Sequence, residues 1–173
     1  LTAPNDITDI STGANPYHGS HVAGIISTLI LEFGLEDYIK IVPIRAANAK
    51  GEFTLPAVKN AINWACGEDT LKNKLGYELK CDVVNLSFGI HDSERTGSSS
   101  WKNIAELKTR IELYSDETVF VAAAGNKGKN ITEDAFYPAA IPEVVSVMAY
   151  GKDSDGGVKL LTSSNYGYDI LAP

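Results

Sequence analysis

The chain has 173 residues, 44% hydrophobic and 21% charged, a composition that supports one folded domain with a sizeable core. A formal charge of −7 without any basic patch argues against a nucleic-acid or anionic-membrane partner. No apolar run approaches the length needed to span a bilayer.

The first periodic segment follows Tyr17. Val22, Ile25, Ile26, Leu29 and Ile30 recur at helical spacing, which predicts a helix with one side in the core. Gly19, Ala23 and Gly24 are small and let another backbone approach closely. His18 and His21 stand in the first turn, where the positive end of the helix dipole suits an imidazole that accepts a proton. A capped helix with two surface histidines would look the same. Zinc is disfavoured, because no Glu separates the pair and His91 is the only other histidine.

Four short apolar runs rich in β-branched residues follow, with helical patterns between them. Ile39–Ile44 is the first, and Pro43 places it near a sheet edge or an irregularity. Leu55, Val58, Ile62 and Ala65 then mark a helix that Thr54 can cap, with Pro56 tolerable in its first turn. Val83–Ser87 is the second strand. Trp101, Ile104, Leu107, Ile111 and Tyr114 mark the next helix, and Val119–Ala124 and Val144–Met148 are the third and fourth strands. Gly67–Lys80 and His91–Ser100 are polar and read as surface excursions. Cys66 and Cys81 border apolar segments and read as buried thiols, with a disulfide left open.

Continuous β-branched runs suit strands buried on both faces, and their alternation with helices predicts an α/β fold. The expected architecture is a three-layer, doubly wound, mostly parallel sheet with right-handed crossovers, in one domain over 1–173. Such sheets take ligands beyond the carboxyl ends of their strands. Ser87-Phe88-Gly89 and Ala124-Gly125-Asn126 stand at two such ends. The Asn126 amide is well placed to donate into a cleft there, although Gly-Asn is also an ordinary turn pair.

Taken in order, these segments resemble the subtilisin-like serine proteases. His18-Gly19-Ser20-His21-Val22-Ala23-Gly24 is similar to that family's catalytic-histidine motif. Asp82–Gly89 resembles its substrate-binding strand, and Val121-Ala122-Ala123-Ala124-Gly125-Asn126 the strand ending in its oxyanion-hole asparagine. Tyr137-Pro138-Ala139, Val144–Val147, Ser163–Gly167 and Asp169–Pro173 resemble the segments that follow. The resemblance runs from about Tyr17 to Pro173.

The resemblance implies His18 as general base and Asn126 as oxyanion donor. It implies that an extended peptide pairs with the main chain at Ser87, Phe88 and Gly89, and with Ala49, Lys50 and Gly51. Ala123, Ala124 and Gly125 would wall the pocket for the residue before the cut. Phe136 stands where the family often has glycine at that pocket's floor, so a preference for small residues is expected. Tyr137–Pro138 is expected to be cis. No metal or other cofactor is assignable, and calcium is implied only by the resemblance.

Two family parts are not found. Asp6 and Asp9 alone precede His18 among aspartates, too near for the usual intervening strand and helix, and no Gly-Thr-Ser nucleophile motif occurs. A base and an oxyanion donor without a nucleophile cannot form an acyl-enzyme. The expectation is a catalytic domain truncated at both ends and inactive alone, completed by Asp- and Ser-bearing segments and acting on an extended peptide or protein. The family implies secretion or an extracytoplasmic site, which the residues themselves leave open. The alternative is a pseudoprotease module that grips peptides without cutting. A nucleotide-binding domain fits less, since no Gly-x-Gly-x-x-Gly or phosphate-cradling lysine loop occurs.

Overall fold

The computed structural model describes residues 17–48, 51–68, 80–95 and 101–172. The chain divides into two units, Leu1–Ala61 and Ile62–Pro173.

In the first unit, α1 (His18–Glu32) forms where the apolar spacing predicts it. It closes with Gly34 at φ 64°, and Gly34 N and Leu35 N donate to Leu31 O and Ile30 O at 3.2 and 2.9 Å. Those two bonds satisfy carbonyls the last turn would otherwise orphan, and the left-handed residue they require is a glycine. The expected core face is not enclosed: Ile30 is buried, but Ile25 and Leu29 are 53% and 49% exposed. Helical hydrogen bonds are local, whereas burial needs a second surface, and none of the described residues of this unit covers this stripe.

Ile39–Ile44 forms no strand, contrary to expectation. Pro43 has no N–H to give a ladder, and Ile39, Ile41 and Val42 remain exposed. The chain instead makes a tight reversal with one antiparallel bridge, Ala47 to Phe53. Helix α2 (Leu55–Ala65) crosses from the first unit into the second and buries Leu55, Val58, Ile62 and Ala65 as its spacing requires. Thr54 Oγ1 accepts from Ala57 N at 3.4 Å, the cap read from sequence.

The second unit holds β1 (Val83–Leu86), β2 (Ile90–His91), α3 (Ile104–Tyr114), β3 (Val119–Ala123), β4 (Phe136–Tyr137), β5 (Val144–Lys152), β6 (Val158–Leu160) and β7 (Ile170–Ala172). The main sheet runs β1-β3-β5-β6, with β7 also on β5; only β6 is antiparallel. This is the mostly parallel α/β arrangement expected. The β5–β6 hairpin, absent from the sequence reading, turns on Asp153 Oδ1, which accepts from Asp155 N and Gly157 N at 3.1 and 2.7 Å.

Helix α3 buries Ile104, Leu107 and Ile111. Along β3, Phe120 and Ala122 are buried, while Val119 is 51% exposed; in β1, Val83 is 57% exposed. The expectation of strands buried on both faces therefore holds for one face only. The other face carries a concavity of about 220 Å³, lined by Asn85, Ser87, Val121, Ala123, Val147 and Ala149 among others. These are alternate positions, as one pleated face demands. His91, read as the start of a surface excursion, is buried on β2 instead. Cys66 and Cys81 are free thiols, the first buried and the second half-buried. No helix among the described residues is long and apolar enough to cross a membrane.

Candidate active site

Parallel pairing sets the site in the second unit. Leu86 lies opposite Ala122, and Ala123 opposite Val147, so β1 and β3 end together at their carboxyl edge while β5 runs on to Lys152. The chain leaves β1 through Ser87-Phe88-Gly89 and β3 through Ala124-Gly125-Asn126, side by side. Sequence-selected Ser87, Phe88, Gly89, Ala123, Ala124, Gly125 and Asn126 are thereby brought to one sheet edge.

Between the two exits lies Phe136. Strand β4 pairs antiparallel with β2, His91 opposite Phe136, and the two rings are 4.9 Å apart. A Cβ placed on Gly89 would fall 2.6 Å from Phe136 Cε1, and one on Gly125 would fall 2.9 Å from Phe136 Cγ. The ring thus fits only because both neighbours lack side chains. Tyr168 Oη accepts from Phe136 N at 3.0 Å and fixes the backbone behind it. Burial pushes the Tyr168 hydroxyl's pKa up. Tyr137–Pro138 is cis, as expected.

Gly125 has φ 101°, a conformation that excludes ordinary side chains. It delivers Asn126 to the surface, where the residue is exposed. The segment around it is held by Asn165, which is 1% exposed. Asn165 Oδ1 accepts from Lys127 N at 3.0 Å and Lys129 N at 3.1 Å, and its Nδ2 donates to Ala124 O at 2.9 Å. Asn165 stands in a segment singled out in sequence only as part of a resemblance.

Beside this loop lies a buried acidic hub. Asp134 accepts from Ser93 N and Oγ at 2.8 and 2.7 Å and from Lys129 Nζ at 2.8 Å. His91 Nδ1 is 3.3 Å from its Oδ2. The Lys129 ammonium, then the Ser93 donors, hold the Asp134 carboxyl well below the usual carboxylate range. Lys127 pairs with Glu94 and lowers that carboxyl in turn. Spacing alone gave no sign of this hub, since its members are drawn from separate loops.

The other selected residues belong to the first unit. His18 is the first residue of α1, and both it and His21 are exposed. Gly51 sits at φ 77° in the Ala47–Phe53 reversal, its N–H on Asn48 O at 3.0 Å. Ala49 and Lys50 lie outside the described residues, as do Asp6, Asp9, Ser99 and Ser100.

The model of the subtilase family matches residues 3–173. Subtilisin DY of Bacillus licheniformis is 29% identical over 160 residues, 90% of this chain and 50% of its own length. A thermophilic serine proteinase of Bacillus sp. strain AK1 is 31% identical over 162 residues, 90% of this chain and 34% of its own. A solved structure of the epidermin leader peptide processing serine protease from Staphylococcus aureus shares the fold, with TM-score 0.52 and 23% identity over 75% of this chain and 33% of that one. The chain thus spans about half, or less, of the length of the curated relatives it matches.

Proposed function

The chain belongs to the subtilase family, and on that premise we propose that it forms part of the catalytic domain of a serine endopeptidase. His18 takes the proton of a serine nucleophile and returns it to the leaving amine. Asn126 donates its amide to the oxyanion of the tetrahedral intermediate. The serine and the aspartate that orients His18 come from the remainder of the catalytic domain, outside these residues. An extended peptide pairs with the main chain at Ser87–Gly89 and at residues 49–51. Ala123, Ala124 and Gly125 wall the pocket for the residue before the cut, and the Phe136 ring floors it, leaving room for a small side chain. The protein acts outside the cytoplasm on peptide or protein substrates.

The observation that carries this reading is the shared carboxyl edge of β1 and β3. Their parallel register sets a strand exit able to pair with a peptide beside a glycine-supported asparagine. A fluorophosphonate probe on the full-length protein tests it. Covalent labelling that is lost in His18→Ala, together with a kcat lowered about 10²–10³-fold in Asn126→Ala, is the expected result. A full-length protein that binds peptides yet takes up no probe would instead be a peptide-gripping module without catalysis.

A further inference from the structure

An oxyanion donor acts only if it already points where charge will develop, and a misplacement of about 1 Å can cost about 10²-fold in rate. Asn126 is exposed and follows a glycine, the most permissive backbone available, so its own residue type cannot supply that rigidity. The rigidity has to come from its surroundings.

We propose that Asn165 is the positioning residue of the oxyanion loop, holding Asn126 in its donating geometry from beneath; this rests on the reading of Asn126 as the donor. The Asn165 carboxamide reaches both sides of Asn126, to Ala124 O before it and to Lys127 N and Lys129 N after it. Its backbone N–H donates to Gly125 O at 2.9 Å, so four bonds from one residue bracket the donor. The amide has only one workable orientation: the oxygen meets two N–H groups and the nitrogen meets a carbonyl, and a flip would set like against like. A Cβ at Gly125 would fall 2.5 Å from Asn165 Nδ2, so the carboxamide is pressed against the loop backbone with nothing between.

The clasp is itself anchored to the sheet. Ser164 Oγ donates to Asn165 O and accepts from Ala149 N, both at 2.9 Å, and Ala149 is on β5. Gly128 N donates to Ser163 O at 2.9 Å, adding a parallel tie. The loop is therefore tied to β5 through residues 163–165, in addition to the end of its own strand, where Ala124 N donates to Val147 O at 2.8 Å. Buried side-chain networks of this kind are costly to break, because each orphaned group has no water to turn to.

The test is a double-mutant cycle in the full-length protein. Asn165→Asp is nearly isosteric and keeps the acceptor for both N–H groups, but sets an oxygen against Ala124 O. In the wild-type background it is expected to lower kcat about 10- to 10²-fold with KM little changed. In the Asn126→Ala background, where no donor remains to be aimed, the same substitution is expected to change kcat by less than about 3-fold. Equal losses in both backgrounds, or no loss in the wild-type background, would overturn the proposal while leaving Asn126 as donor. An Asn126→Ala enzyme of undiminished kcat would remove the donor reading, and this proposal with it. Amide exchange on the wild-type protein supplies a readout that needs no variant to fold. Lys127 and Lys129 N–H are expected to exchange as slowly as strand amides, and exchange at exposed-loop rates overturns the clasp.

Discussion

Phe136 shows how a single side chain can set specificity by filling space. Its ring stands against Gly89 and Gly125, the two backbone segments proposed to flank the substrate residue before the cut. Filling that gap removes apolar volume a large substrate side chain would need. Burying an aromatic ring is worth about 1.5–3 kcal/mol, or about 10- to 10²-fold in rate if realised in the transition state. Phe136→Gly in the full-length protein should therefore raise kcat/KM for substrates with Phe or Tyr before the cut by about that factor, and leave Ala substrates nearly unchanged. A peptide library whose preference does not move toward aromatics would contradict the floor assignment. Phe136 could be singled out in sequence because it adjoins Tyr137-Pro138. Asn165 could not be assigned its role, because its partners lie 36 to 41 residues away. Hydrogen bonds across such separations leave no local periodicity.

At the scale of elements, what was legible divides by whether a pattern needs only its own residues. Helices α2 and α3 and strands β1, β3 and β5 announce themselves by spacing and by β-branched runs; α2, β1 and β3 form within a residue of their readings, α3 starts at Ile104 rather than Trp101, and β5 runs four residues past Met148 to Lys152. Ile39–Ile44 carries a comparable run and forms no strand, because Pro43 weakens the ladder and no neighbour among the described residues pairs with it. The short β2–β4 ribbon was invisible, being two residues on each strand, and it is held by the Asp134 hub rather than by propensity. That hub is titratable. The folded Asp134 carboxyl lies below its ordinary value of 3.8, so on acidification the unfolded chain takes up this proton first. Its stabilising contribution is thus fully present above about pH 5 and declines as the pH falls toward the folded value. Urea midpoints for the wild type and Asp134→Asn should differ most near neutrality and converge between about pH 4 and pH 2. A gap constant over that range would remove Asp134 from the acid response.

At the largest scale, the second unit taken by itself leaves one face of the main sheet uncovered by its own described residues. Val83 and Val119 are more than half exposed on strands whose opposite positions, Leu86, Phe120 and Ala122, are buried. A sheet with helix-connected parallel strands is ordinarily covered on both faces, and an apolar face left open marks a surface made to be covered. The relatives matched by this chain are about two to three times the matched length, since it spans 50% of one and 34% of another. In the full-length protein that face is expected to be enclosed by the rest of the same domain. The two situations give opposite answers to one substitution. On a solvated face, Val119→Asp should change stability by no more than about 0.5 kcal/mol. On an enclosed face it buries an unpaired carboxylate and should cost about 2 kcal/mol or more, read as a lowered urea midpoint of the full-length protein. The larger loss is expected, and a neutral outcome would mean that these strands face water in the whole protein as well.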